Sequence, residues 1–182
     1  MPAKYLALFR GVNVGGSNKL PMKELAVIFT ASGCRDVQTY IQSGNVVFNA
    51  PAKIAAQASV TIARKVRDRF GFEVPIVMRT AEEVGAVLSA NPFLAQGAAE
   101  NTLHVSFLAD LPAPSNVQQL DPNRSVGDMF VVVGREIYMQ LPNGMARTKL
   151  TSQYFDSRLK TVGTVRNWRT VQQLCILMRA AP

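Results

Sequence analysis

The order in which strand-like and helix-like periodicities alternate over the first 80 residues is the tightest constraint on how this chain folds. Lys4 to Arg10 reads as a strand that runs into a glycine-rich loop, Gly11-Val12-Asn13-Val14-Gly15-Gly16. Pro21 then stands at a first helical position, and Met22, Leu25, Ala26, Ile28 and Phe29 recur at helical spacing. Gly33 supplies the left-handed residue that ends such a helix. Val37 to Ile41 and Val46 to Phe48 alternate as two strands across the tight turn Ser43-Gly44-Asn45. From Pro51 a long helix follows, with Ile54, Ala58, Ile62, Val66 and Phe70 along one side and Gly71 at its end. Its polar face holds Arg64, Lys65, Arg67 and Arg69. Val74 to Met78 closes the series as a strand. The resulting βαββαβ order predicts a split βαβ, or ferredoxin-like plait.

The same order then recurs. Glu82 to Leu88 reads as a connecting helix, and Asn91-Pro92-Phe93 with Gln96-Gly97 as a boundary loop. Leu103 to Leu108 alternates as a strand, and Pro112 and Pro114 lead into a short helix near Val117 to Leu120. Asp128 to Val133 and Glu136 to Leu141 form a hairpin across Gly134-Arg135. Ser152 to Leu159 is helical, Val162 to Val165 is a strand, and Asn167 caps a last helix from Trp168 to about Met178. The expected fold is α+β: two tandem ferredoxin-like plaits with antiparallel sheets, plus a C-terminal helix. Residues 1–80 form the first subdomain, 81–101 the connecting helix and linker, and 102–182 the second. The halves share element order far more than residue identity.

Charge narrows the choice of partner. The chain carries 20 Lys+Arg against 12 Asp+Glu, a net +8. Residues 1–80 hold 11 basic and 4 acidic side chains (+7), residues 81–134 hold 1 and 6 (−5), and residues 135–182 hold 8 and 2 (+6). Such blocks favour nucleic acid, nucleotides or acidic metabolites, against the plain alternative of a protein that merely runs basic. Cys34 and Cys175 are far apart and suggest no disulfide framework or metal motif. His104 is the sole histidine, inside a strand, which argues against a Ser/His/Asp triad or a histidine-based metal site. No cofactor is called for. No apolar run approaches the roughly 20 residues that span a bilayer, so no membrane partner is expected and the cytoplasm is the default compartment.

Topology turns two sets of loops into candidate sites. In a plait with strand order 4-1-3-2, the first two strands run the same way, so Gly11–Gly16 and Ser43-Gly44-Asn45 meet at one end of the sheet. Glycines there expose backbone N–H groups beside the positive end of the first helix, a sensible anion cradle. Its candidate residues are Arg10, Gly11, Asn13, Gly15, Gly16, Asn18, Lys19, Ser43, Gly44 and Asn45. In the second half, the exits of the third and fourth strands share an end. That predicts a patch of Arg147 and Lys149 beside Arg166, Asn167, Trp168 and Arg169, where an indole among guanidinium groups suits a stacked ring.

Each motif also has a structural explanation. Gly11 and Gly16 have the spacing of a phosphate-binding loop, but Ser17 and Asn18 stand where that motif needs Lys and Ser/Thr. The glycines then serve only a tight connection. Ser43-Gly44-Asn45 is equally a hairpin turn, Trp168 a core anchor, Arg166 an ion-pair member and Asn167 a cap. Cys34, at a helix C-terminus, is an inert thiol rather than a nucleophile. An RNA-recognition plait carries aromatic rings on its first and third strands, and Tyr5, Phe9 and Phe48 occupy such strands. Gly44-Asn45-Val46-Val47-Phe48 nevertheless lacks the basic-glycine-aromatic signature.

Phe-Arg-Gly-Val-Asn-Val-Gly-Gly at 9–16, Thr-Tyr-Ile-Gln-Ser-Gly-Asn-Val-Val-Phe at 39–48, Asn-Pro-Phe at 91–93 and Arg-Asn-Trp-Arg-Thr-Val at 166–171 together resemble a bacterial family, the domain of unknown function 1697. The family loop commonly has Leu and Ile where this chain has Phe9 and Val12. The resemblance implies two ferredoxin-like subdomains and brings no established activity. The leading expectation is therefore a non-enzymatic or weakly specific nucleic-acid binder with basic surfaces on both halves. The alternatives are a small-molecule site for a phosphate- or carboxylate-bearing ligand, catalytic or not, at Gly11–Gly16, and a protein-interaction module.

Overall fold

The computed structural model describes residues 3–179. The first subdomain is built from β1 (Ala3–Phe9), α1 (Met22–Thr30), β2 (Arg35–Tyr40), β3 (Asn45–Ala50), α2 (Ala52–Phe70) and β4 (Ile76–Thr80). Its sheet has the order β2-β3-β1-β4 with every neighbour antiparallel, which is the plait. After α3 (Ala81–Ser89), α4 (Pro92–Ala95) and a 3-10 turn at Glu100–Thr102, the second subdomain follows. It comprises β5 (Leu103–Leu108), α5 (Pro114–Val117), β6 (Met129–Val133), β7 (Glu136–Gln140), α6 (Ser152–Leu159) and β8 (Gly163–Asn167), and α7 (Trp168–Arg179) ends the described chain. Its sheet order, β6-β7-β5-β8, repeats the first. The chain divides into two compact units, with the boundary inside α3 after Gly85. From Leu174 onward α7 belongs with the first unit.

Two elements are offset from the sequence expectation. The fourth strand begins at Ile76 rather than Val74, because Pro75 has no N–H to donate to a ladder. Pro75 contributes only its carbonyl, which accepts from Arg10 N at 3.0 Å. The short helix expected near Val117 sits one turn earlier, with Pro114 at its start, where a missing N–H costs nothing.

The first core lies between one face of the sheet and the two helices. Ala7, Phe9, Val46, Phe48 and Ala50 meet Leu25, Ile28 and Phe29 of α1 and Ala58, Ile62 and Val66 of α2. Phe29 is the central contact, its ring 5.0 Å from that of Phe48 and 6.1 Å from that of Phe9. Tyr5 packs against this core as well, so the three rings expected on an RNA-binding sheet surface lie beneath helices. The reverse face, with Leu6, Leu8, Val47, Val77 and Arg79, is buried too. In the second subdomain Leu108, Ile137 and Met139 pack with Tyr154, Phe155 and Leu159. Its reverse face also buries Val105, Phe107, Tyr138 and Arg166.

Removing the Phe29 ring leaves a cavity between helix and sheet, so Phe29→Ala is expected to cost roughly 3–5 kcal/mol in urea-unfolding free energy. A loss below about 1 kcal/mol contradicts its central place in the packing.

Candidate functional site

The loop after β1 and the turn after β2 do meet. Phe9 N donates to Gly44 O at 2.8 Å, and Asn13 Nδ2 donates to Gln42 O at 2.8 Å. Their local chemistry accounts for their residue types. Gly11, Asn13, Gly15, Gly16 and Asn18 all have positive φ, between 49° and 79°. Gly15 and Gly16 are the two central residues of a tight turn closed by Ser17 N donating to Val14 O at 3.1 Å, the type I′ geometry that favours glycine at both positions.

Asn13 holds this small hairpin to the body. Its Oδ1 accepts from Leu20 N at 2.8 Å, and its Nδ2 also donates to Leu20 O at 2.9 Å. Asn18 Nδ2 donates to Gly11 O, and Asn45 Nδ2 to Tyr40 O and Ser43 Oγ. The three amides expected as ligand donors thus make internal bonds. Gly44 is fully hemmed in: an added Cβ would lie 2.5 Å from Phe9 Cβ and 2.6 Å from Val12 Cγ2. Arg10 is half-buried and Lys19 is exposed.

The second set of residues comes from two stretches of chain. Arg147 and Lys149 are exposed on a loop held by Ser125, whose Oγ accepts from Lys149 N at 3.0 Å and donates to Asp128 Oδ2 at 2.6 Å. Arg166 is on β8, which β5 separates from β7 in the sheet order. Arg166 is 7% exposed and donates through Nη1 to Thr164 Oγ1 at 2.8 Å and Val165 O at 2.9 Å. Burial pushes its pKa down to about 10, which leaves it charged at neutral pH.

Trp168 is 1% exposed, its Nε1 buried with no hydrogen-bond partner among the described residues. Asn167 caps α7, its Oδ1 accepting from Thr170 N at 2.8 Å. Asn167, Trp168 and Arg169 nevertheless line an open cleft of about 520 Å³ with Glu100, Asn101 and Gln172. Gln172 Nε2 donates across it to both Glu100 oxygens at 3.2 Å. His104 is half-buried, its pKa lowered by desolvation and partly restored by the Thr102 carbonyl. Among the described residues no three His, Cys, Asp or Glu side chains gather as metal ligands, and no helix is long and apolar enough to cross a membrane.

Sequence reasoning passed over a further pair of clefts, of about 240 and 550 Å³, that share Cys34 and Ile54. Ser32, Lys53, Gln57, Ala58 and Thr61 line one; Thr30, Gly33, Arg35 and Pro51 line the other. The available signal was the four-residue spacing of Lys53, Gln57, Thr61 and Lys65, which puts them on one stripe of α2. Burial raises the Cys34 pKa, partly offset by Lys65.

Fold and site together define a tandem pair of ferredoxin-like plaits whose sheets are buried on both faces and whose clefts lie on the helical side and at the start of α7. The chain belongs to the family described as protein of unknown function (DUF1697), whose model matches residues 3–138. It is similar over 99% of its length to the whole of a solved structure of a conserved bacterial protein from Streptococcus pneumoniae, with a TM-score of 0.73 and 22% identity. At that identity the likeness is one of fold. No curated protein matches the chain.

The two glycine positions make different demands. Gly44→Ala, strained in φ and colliding with Phe9 and Val12, is expected to cost at least about 2 kcal/mol of stability, and Gly16→Ala, strained in φ alone, about 1 kcal/mol. Equal losses in chemical denaturation contradict the interlocked geometry at Gly44.

Proposed function

We propose that the protein binds nucleic acid through exposed cations on the first subdomain. The observation that carries this reading is where its charge lies. Lys19, Lys23, Arg35, Lys53 and Arg64 are all exposed, and no ion pair among the described residues engages them. Arg67 and Arg69 are already matched, Arg67 with Asp68 and Glu73 and Arg69 with Glu24. Because both sheet faces are buried, the mode differs from base stacking on an open plait surface. It relies on phosphate contacts, which give affinity with little sequence preference.

Single-stranded oligonucleotide binding, followed by fluorescence anisotropy, is expected to weaken steeply with salt. With three to five cations engaged, log K against log salt should have a slope of about −2 to −3.5. No binding at low salt, or a slope near zero, overturns the reading.

The cleft at the start of α7 favours a second reading, a small anionic ligand held by Arg169 and Asn167. Its volume of about 520 Å³ lies within the usual range for ligand pockets. Adenosine monophosphate or inorganic phosphate is then expected to raise the melting temperature by a few degrees, and Arg169→Ala to abolish that rise. An unchanged melting temperature in the unsubstituted protein removes this second reading.

A further inference from the structure

We propose that the two adjoining clefts around Cys34 form one groove that seats a single strand of nucleic acid, phosphates on its cationic rim and bases or sugars on its apolar floor. This deepens the nucleic-acid reading and rests on it. The groove is bounded on one side by the segment from Thr30, at the end of α1, to Arg35, at the start of β2, and on the other by Pro51 and α2 as far as Thr61. Its floor is apolar: Cys34 is 2% exposed and Ala58 3% exposed, with the half-buried Ile54 between the two clefts.

The rim is built from donors. Arg35 and Lys53 line the two clefts, and both are exposed. Gln57 and Thr61 continue the stripe along α2, and the first turn of that helix carries no acidic residue. One turn further on, Lys65 Nζ donates to Ala31 O at 3.1 Å and to Ser32 Oγ at 2.8 Å, placing its positive charge over the closed end of α1. The nearest carboxylate in sequence, Asp36, accepts from Asn49 Nδ2 at 2.7 Å. Every charged side chain that lines the two clefts is cationic, and the remaining polar side chains there are Gln57 and the hydroxyls of Thr30, Ser32 and Thr61.

This combination selects one occupant. A phosphodiester backbone matches a rim of Arg35, Lys53, Gln57 and Thr61, and the aliphatic floor of Cys34, Ile54 and Ala58 offers apolar surface to bases or sugars. Bases stacked inside a duplex cannot turn toward such a floor, so the preferred ligand is single-stranded. Gly33 shapes the groove, since a Cβ there would lie 2.8 Å from Ile54 Cδ1.

The test is fluorescence anisotropy with labelled oligothymidylate and oligouridylate of about 16 nucleotides and a duplex of the same length. The doubly reversed variant Arg35→Glu with Lys53→Glu is compared with Arg158→Glu with Lys160→Glu. The latter makes the same change in net charge on exposed residues of the second subdomain. The groove variant is expected to bind single strands at least about tenfold more weakly, with the control pair within about twofold of the unsubstituted protein. Amide hydrogen exchange on the unsubstituted protein adds a readout that needs no substitution: bound oligothymidylate should slow exchange in 30–35 and 53–61.

Equal losses in the two variants, undiminished binding by the folded groove variant, absent protection in those segments, or duplex binding as tight as single-strand binding each overturn the groove. In all of those cases the broader nucleic-acid reading survives. Failure of the unsubstituted protein to bind any oligonucleotide removes both.

Discussion

Burial of both faces of each sheet is the constraint from which the rest of the molecule follows. A four-stranded plait normally has a helix-covered face and a second face open to a ligand or partner. Here Leu6, Leu8, Val47 and Val77 on one sheet and Val105, Phe107 and Tyr138 on the other are buried as thoroughly as the residues beneath the helices. Exposed cations such as Lys19, Lys23, Lys53 and Arg64 lie on loops and helices. Strand side chains of either parity then serve packing, and even Arg79 and Arg166 are drawn into the buried faces, with hydrogen bonds to neighbouring carbonyls.

The glycine-rich loop illustrates how a motif that looks like a ligand cradle can arise from chain geometry. The chain must leave β1, reverse in a short hairpin and enter α1 within a dozen residues. Positive φ at five positions of that stretch calls for glycine or asparagine on steric grounds alone. Asn13 then satisfies polar backbone groups of Leu20 and Gln42 that would otherwise need water. The opposing turn is locked by the contact of Gly44 with Phe9 and Val12. The pairing of loop and turn is real, and its residue types follow from backbone conformation and close approach.

Much of the fold was legible in the chain. The alternating runs of Tyr5–Phe9 and Val46–Phe48, the helical spacing of Ile54, Ala58, Ile62 and Val66, and the terminating glycines each encode local structure. Their order admits few topologies. The meeting of Gly11–Gly16 with Ser43–Asn45 was also legible, because strand direction follows from the βαββαβ order. Less legible was which side chains stay available. Asn13, Asn18 and Asn45, expected from the sequence as ligand donors, make internal hydrogen bonds, and Arg166, expected in a basic patch, is buried.

By itself the sequence determined the tandem plaits, their strand order, the glycines that end α1 and α2 and the charge blocks, because all of these depend on local sterics, hydrophobic period and composition. The tertiary structure alone decided that Tyr5, Phe9 and Phe48 face helices, that Arg166 and Trp168 are buried, and that Lys53 and Arg35 line two clefts sharing Cys34 and Ile54. Those outcomes depend on which surfaces are removed from water when elements distant in sequence pack together, and no local pattern carries that information.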